Sequence, residues 1–599
     1  MKKRAKVVAP LAVLVPIVVV GLVMRPQDLD QLTLWAIEGI LALSLVLLWG
    51  HGGIFSLGQT ALYGLGGYAF GIVAINLGRG AANSMLLGGL AALVVAALVS
   101  LVIGYLMFYG RVSEVNVGII TLALTLVLFV LINSTADPAY RIGDAPIGGF
   151  NGLVGIPAPM LFGQRITGQS LFFVVCGAAV VALTLVWWCL DLPFGRIAAA
   201  VRSNELRAEL LGYDVRARRT MLFVVCGCLA GGAGALFAAW GQFASPTIFG
   251  LKSAIIIVIW VLVGSRTSPV GAFVGVFAVE ALTSWLGGED ARYALIYLGA
   301  ILIAAVILLP NGLVTTARRL TRRFAPARKK PIPVDGSLAQ ASSSHDLSHV
   351  LGARPPSDTQ ASLVVSGLTK RYGAVTVVDA IDLDLPATGL QVVIGPNGAG
   401  KSTFFGLVNG TVKIDTGTVR LGETDVSRML PHRRARAGIG TKRQVVSVFA
   451  DLTVRENLWV AAYAPRARRS VKEATAAADD LVSWLGLAGA TVAGTLSHGD
   501  QQRLEIVMVM ASGASLILLD EPTAGMTVNE TAGMAALIHT LSEHCSVVVI
   551  DHDMGFVREL GAPITVMHLG QVLMRGELDA LEADERLLDI YLGRHNARA

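Results

Sequence analysis

The chain has 599 residues, 54% of them hydrophobic and only 15% charged, with a net charge of +6. An ordinary soluble protein carries about 25% charged residues, so neither one large soluble domain nor a disordered chain fits this composition, and the 66 glycines follow no three-residue period. The charge is small for the length and its basic clusters are local, which argues against nucleic acid as a partner. The average also hides a division. Residues 1–310 hold 18 Lys/Arg and 13 Asp/Glu, about 10% charged, whereas 311–599 hold 30 and 29, about 20%, near the soluble norm. A membrane half followed by a soluble half is expected. Of the five cysteines, Cys176, Cys189, Cys226 and Cys228 lie in apolar runs and Cys545 in the soluble half; their spacing fits neither zinc nor a redox motif.

Ten apolar segments follow in order: 7–24, 31–50, 61–78, 84–109, 115–133, 171–190, 221–243, 251–264, 270–286 and 292–310. Crossing the hydrocarbon core takes about 20 apolar residues, so about eight to ten spans are expected; 251–264 is short and reads as a half-helix or re-entrant piece. The first segment follows Met-Lys-Lys-Arg, but no small-residue cleavage site stands out and further spans follow, so a retained helix is expected. Lys2, Lys3, Arg4 and Lys6 at one end and Arg318, Arg319, Arg322 and Arg323 at the other place both ends in the cytoplasm. Counting inward then puts 134–170 outside. It puts 191–220 inside, with Arg196, Arg202, Arg207, Arg216, Arg218 and Arg219.

Three features interrupt this pattern. His-Gly-Gly-Ile-Phe-Ser-Leu-Gly-Gln at 51–59 is either an ordinary cytoplasmic turn or unwound backbone at membrane depth, buried in protein or lining a cavity. Glu280, in an apolar run, either lines a pathway, snorkels from near a helix end or caps a partner. In the loop 194–213, Ala198, Val201, Leu206, Leu210 and Leu211 give one short amphipathic helix, either a docking element or a charged surface helix that only sets topology. Residues 318–330 then carry seven Lys/Arg and no acid, which suits anionic headgroups, and 331–360 is rich in Ser, Pro and Ala, as a tether would be. The expected division is 1–317, a linker over 318–360, and 361–599.

In the soluble half, a predicted strand at 390–394 leads into Gly395-Pro396-Asn397-Gly398-Ala399-Gly400-Lys401-Ser402-Thr403, and an apolar helix follows. This strand–loop–helix context marks a phosphate-binding loop. Gly398 and Gly400 let backbone N–H groups close on phosphate, Lys401 reaches the β- and γ-phosphates, and Ser402 ligates Mg²⁺. A second strand, 515–519, delivers Asp520 to hold Mg²⁺ through water and Glu521 to polarise the attacking water. Between them, Ser497-His498-Gly499-Asp500-Gln501 opens an amphipathic run at 504–510, where Ser497 and the Gly499 N–H sit at a helix start that attracts anions. A strand at 547–550 ends in Asp551-His552, whose imidazole is placed to hydrogen-bond the γ-phosphate.

These motifs, in this order, resemble the ATP-binding subunit of ABC transporters over essentially all of 362–594. The resemblance implies ATP and Mg²⁺ as cofactors and further roles for individual residues. Tyr372 would stack on adenine. Gln444 would sense Mg²⁺ and contact the permease. Ser497–Gln501 would complete the ATP site of a facing subunit, and Ala524-Gly525-Met526 would form the D-loop. Two residues depart from the pattern: His498 stands where glycine is usual, and Arg443 where phenylalanine commonly precedes the glutamine.

The first half resembles the permease of branched-chain amino acid and urea-type importers, matching at 50–59, 148–163, 194–213 and 308–313. By that likeness 194–213 is the coupling loop, with Gly195, Arg196, Glu205, Leu210 and Gly212 in it. Some details, among them the LSHGDQ run and 258–275, lean toward urea or short amides. The implied fold is a multi-pass α-helical membrane domain followed by an α/β P-loop ATPase domain. The implied protein is a half-transporter in the cytoplasmic membrane of a prokaryote, with its ATPase in the cytoplasm and the lipid bilayer around its spans. Its implied partners are a second permease–ATPase unit (a copy or a homologue), an external solute-binding protein, and a small polar or amino-acid substrate. An ABC exporter and a membrane-tethered ATPase that moves no solute are the alternatives.

Overall fold

The computed structural model describes residues 17–78, 80–137, 139–289, 307–324 and 362–582, with positions 296, 299, 300, 303 and 304. The basic start of the chain, the first part of the predicted 7–24 segment, most of 292–310 and most of the predicted linker lie outside the described residues. The chain divides into two units, 1–198 with 216–328 and 199–215 with 329–599.

The first unit is helical. α1 (Pro26–Leu45) continues as a wider π-turn over Val46–His51; α2 (Gln59–Leu77), α3 (Ser84–Tyr109) and α4 (Glu114–Asn133) follow, then two short hairpins, β1 (Arg141–Ile142) with β2 (Ala145–Pro146) and β3 (Met160–Leu161) with β4 (Gln164–Arg165), and α5 (Gln169–Asp191). After α6 (Pro193–Ser203) and α7 (Glu205–Leu210) come α8 (Val215–Gly241), α9 (Leu251–Gly264), α10 (Pro269–Glu289) and α11 (Gly312–Phe324). Among the described residues seven helices are long and apolar enough to cross a membrane, and α9, with 14 residues, is a shorter apolar helix. α3 and α4 turn Leu98, Val102, Leu106, Val127 and Val130 outward, an apolar surface suited to lipid and costly in water. α8 starts six residues before the predicted span, because its basic first turn is helical: Arg219 Nη2 donates to Glu114 Oε1 at 2.9 Å.

Residues 52–58 are not helical, yet Gly52, Ile54, Ser56 and Gly58 are buried. Their backbone is satisfied inside the protein. Leu57 N donates to Thr121 Oγ1 at 3.1 Å, Gly58 N to Ser56 Oγ at 3.2 Å, and Ile54 N to Leu48 O at 3.1 Å. The stretch is thus unwound backbone buried in protein. Glu280 meets a partner as well, accepting from Trp260 Nε1 at 3.0 Å.

α2 and α8 touch backbone to backbone. A Cβ on Gly234 would lie 1.8 Å from Tyr63 O, and one on Gly66 would lie 2.2 Å from Gly231 O. Small residues that let helices approach this closely are a common source of packing between membrane helices. Gly234→Ala is therefore expected to force the pair apart at a cost of about 1–3 kcal/mol, read as a lower unfolding temperature of the purified full chain. An unchanged midpoint would show that the contact is slack.

In the second unit, β5 (Leu363–Tyr372), β6 (Val375–Leu385), β8 (Thr416–Leu421) and β9 (Thr424–Asp425) form an antiparallel sheet in the order β6-β5-β8-β9. A six-stranded sheet runs β10 (Ile439–Lys442), β11 (Leu516–Asp520), β12 (Ser546–Ile550), β7 (Gly389–Ile394), β13 (Ile564–His568) and β14 (Gln571–Gly576), parallel except for β14. Strands buried on both faces read as continuous apolar runs, which is why β7, β11 and β12 stood out in sequence. The helix opened by Ser497, His498–Ala511, is not amphipathic as expected. Every residue from Gln502 to Ala511 is buried, so polar members such as Glu505 are inside. The predicted single helix in 194–213 is also two. Asn204 separates α6 from α7, and its Oδ1 accepts from Arg207 N at 2.9 Å as the α7 cap.

Candidate active site

Parallel strands place the site at their C-terminal edge. β7 feeds the loop 395–400, and the helix Lys401–Asn409 then begins with free N–H groups aimed back at the loop. Gly400 has φ +94°, and a Cβ there would lie 2.4 Å from Val377 O, so only glycine fits. Lys401 Nζ donates to Gly395 O at 2.5 Å and Pro396 O at 3.0 Å. Asn397 and Gly398 are exposed, Ala399 is buried, and Pro396 and Thr403 are half-buried. Tyr372, 52% exposed, ends β5 with Lys370 Nζ 5.3 Å from its ring centroid.

β11 delivers the two acids from the next strand but one. Burial, followed by the neighbouring Glu521, pushes the Asp520 carboxyl up to about 6, while a hydrogen bond from Ser402 and the charges of Lys442 and Lys401 act the other way. Burial lowers the Lys401 ammonium pKa, and Glu521 and Asp520 oppose that shift. Glu521 has φ +46°, strained for a non-glycine residue, and its N–H is held by Ile550 O at 2.8 Å. Gln444 Nε2 donates to Glu521 Oε2 at 3.0 Å, and His552 Nδ1 lies 3.5 Å from Glu521 Oε1. Lys401, Ser402, Asp520, Glu521, Gln444 and His552 thus meet in one place. Among the described residues no hydrogen bond or ion pair joins Tyr372 or Ser497–Gln501 to that group.

Ser497 caps its own helix, accepting from Asp500 N at 3.1 Å and donating to Asp500 Oδ2 at 2.8 Å. Ser497 and His498 are exposed, Gly499 is buried, and Gln501 Nε2 donates to Leu496 O at 3.2 Å. His498 Nε2 lies 3.1 Å from Gln502 Nε2, and Gln502 Nε2 donates to Ala524 O at 2.7 Å, tying this turn to 524–526.

Residues 199–215 are part of the same unit, and the roles of three polar residues in that unit, Arg207, Lys442 and Glu505, were not foreseen. Arg207, with no exposed surface, donates from Nη1 to Thr441 O at 2.8 Å and from Nη2 to Glu505 O at 3.0 Å; its Nη1 is 3.4 Å from Glu505 Oε1. Glu505 Oε2 accepts from Ser447 N at 3.1 Å. Lys442, equally buried, donates to Asp520 O at 3.0 Å and Glu521 O at 2.8 Å. Burial pulls the Arg207 and Lys442 pKa values down and the Glu505 value up, and each opposite charge counters this. One buried polar chain therefore runs from α7 through the strand before Gln444 to the backbone of the paired acids. Around it, Arg436 Nε donates to Gly212 O at 2.7 Å, Tyr213 OH to Val460 O at 2.8 Å, and Arg202 pairs with Asp451 at 3.1 Å. Leu210 is buried and Glu205 exposed; Gly195 and Arg196 belong to the first unit.

Residues 29–306 match the family model described as branched-chain amino acid transport system / permease component, and 378–524 match that of the ABC transporter. The high-affinity branched-chain amino acid transport ATP-binding protein BraF of Pseudomonas aeruginosa is 35% identical over 251 residues, covering 39% of this chain and 97% of BraF. The chain belongs to the ABC transporters of the branched-chain amino acid type. LivG of Escherichia coli K12, a protein with the same description, is 32% identical over 255 residues, 39% of this chain and 99% of LivG. A crystal structure of a nucleotide-free ATP-binding cassette from an ABC transporter overlays with 22% identity and a TM-score of 0.35, covering 39% of this chain and 98% of its own.

In this ABC transporter, permease and ATPase share one chain, and the ATPase domain binds and hydrolyses ATP. His498 is accommodated because its ring lies over open Gly525, a Cβ on which would be 3.4 Å from His498 Cδ2. The Arg443 side chain is exposed, so no aromatic packing is missing beside Gln444. A lone acid inside an apolar run was the available signal for Glu505; Arg207 carried none that separates it from the loop's other arginines.

Proposed function

We propose that this chain is one half of an ATP-driven importer of branched-chain amino acids. Residues 1–317 would be its permease, 318–360 its linker and 361–599 its cassette. The observation that carries the reading is the fusion of a branched-chain amino acid type permease to a cassette that has taken up residues 199–215. Short connections support import over export: only residues 110–113 separate α3 from α4, where an exporter would extend long helices into the cytoplasm. The permease would span the cytoplasmic membrane of a prokaryote, with the cassette on the cytoplasmic face.

ATP would lie along 395–403, with Tyr372 on the adenine and Lys401 on the terminal phosphates. The set around it suits Mg²⁺: among the described residues no cluster of His, Cys, Asp or Glu forms an all-protein metal cage, while Ser402 and Asp520, with Gln444 nearby, supply a partial set of oxygens that phosphates complete. Mg²⁺, when bound, would neutralise charge on the β- and γ-phosphates. Glu521 takes the proton of the attacking water, Gln444 holds Glu521 in place, and His552 steadies the γ-phosphate. Ser497, exposed at its helix start, is available to a second copy or homologue, whose ATP it would contact together with His498–Gln501. Residues 194–213 would carry the cassette's movement to the permease through Arg207.

The test is transport by the full chain in proteoliposomes. Labelled leucine should accumulate only with ATP on the cassette side and a leucine-binding protein on the other. Uptake without any binding protein, or ATP hydrolysis with no leucine flux, would overturn the import reading.

A further inference from the structure

The membrane unit contains polar groups that its helices leave unanswered. α1 and α2 meet where Ser44 Oγ lies 3.0 Å from Gln59 Oε1. The Ser44 hydroxyl also donates to Leu41 O at 2.6 Å, and its single hydrogen cannot serve both acceptors, so the Gln59 amide is free to turn either way. The other amide atom of Gln59 is buried with no hydrogen-bond partner, as is the neighbouring Thr60 Oγ1. Six residues before Ser44, about 9 Å along α1, stands Glu38; four after Gln59, on the same face of α2, stands Tyr63. Glu38 lies within electrostatic range of both Tyr63 and Glu280. Its Oε2 is shut away from solvent and has no hydrogen-bond partner.

α10 covers this seam from the other side. Trp35 meets Phe277 edge-on at 5.4 Å, a Cβ on Gly39 would touch the Phe273 ring, and Gln31 Nε2 donates to Ser284 Oγ at 2.7 Å. Glu280, on α10, spends one oxygen on Trp260. Among the described residues neither Glu38 nor Glu280 has a Lys, Arg or His within ion-pair distance. Glu38 is half-buried, but a carboxylate oxygen closed off without a partner is costly, and in a membrane helix it marks a place where something else supplies the missing donor.

We propose that Glu38, with Gln59 and Tyr63, forms a binding station inside the permease for the ammonium group of an α-amino acid. This rests on the reading of the chain as an amino-acid transporter. The charge of Lys252 reaches Glu280, whereas no cation among the described residues acts on Glu38, which therefore calls for positive charge as well as N–H donors. An ammonium supplies both, whereas a neutral amide supplies donors alone. Gln59, able to turn its amide, would answer the substrate's carboxylate, whose own charge is then held apart from Glu38. The unwound stretch 52–58 enters α2 at Gln59, so a change in its backbone would be felt at this station directly.

The test is direct binding of labelled leucine to the purified full chain in lipid nanodiscs, with labelled urea as a second probe. Leucine should bind, urea should not, and Glu38→Gln should weaken leucine at least tenfold. Glu38→Asp should keep most of the binding. The ATP hydrolysis rate of Glu38→Gln should stay at the wild-type value and its unfolding midpoint should not fall below wild type, which separates a lost site from a lost fold. Equal leucine binding by wild type and Glu38→Gln, urea binding in place of leucine, or no binding of either would overturn the proposal. In the first case, leucine uptake dependent on the chain would leave the transporter reading standing. Absence of uptake by the wild type would remove that reading itself.

Discussion

Glu521→Gln in the full chain should reduce ATP hydrolysis by about 10²- to 10⁴-fold, the range a positioned general base contributes, while ATP remains bound. The substitution keeps shape and size, and removes the one property the proposed step uses, the capacity to accept a proton. Its amide can still face Gln444, whose Nε2 now donates to the carboxylate at 3.0 Å. The backbone at φ +46° is no worse for glutamine than for glutamate, so the loop should stay in place. Single-turnover hydrolysis and nucleotide retention on the purified protein check both halves of the expectation. Hydrolysis within a few-fold of wild type would move the base elsewhere, with His552 the nearest titratable group to examine.

The second large effect is expected at Arg207. Arg207→Met fills most of the same space and leaves Glu505 buried with Lys442 as the remaining cation acting on it among the described residues. Breaking a buried pair from one side costs about 3–5 kcal/mol, and Lys442 should hold the loss toward the lower end. The variant should show a lower unfolding midpoint and uncoupled behaviour, with ATP still hydrolysed but little leucine moved. Adding Glu505→Gln should recover a good part of the stability, because the stranded charge is then gone, without restoring transport. A single variant that matches wild type in midpoint and uptake would show that the pair is a bystander.

The parts of the cassette site were not equally visible in sequence. The phosphate-binding loop, the paired acids and the helix capped by Ser497 are local: each is a strand or loop followed by a helix, with the chemistry inside about ten residues. The spans were legible for the same reason, since twenty apolar residues declare themselves without knowledge of what they touch. Arg207 was not legible. Its partners lie 234 and 298 residues away, and an arginine in a loop of arginines reads as surface. The early start of α8 was hidden likewise, because Arg219 is helical on account of Glu114, 105 residues before it. Glu505 was misjudged through its helix, which periodicity took to be half-exposed. The break at Asn204 turns on one cap bond, too small a signal against five apolar residues at helical spacing.

That residues 199–215 are packed within the cassette unit bears on how the molecule is made. The loop leaves the ribosome more than 200 residues ahead of the strand that receives Arg207, so it is already present when that strand is made. When the two parts are separate polypeptides, seating that plug is a second-order event that slows as the parts become scarce. Joined in one chain, it becomes a first-order step whose rate does not depend on expression level. A fused transporter of this kind gains a one-to-one ratio of motor to pathway.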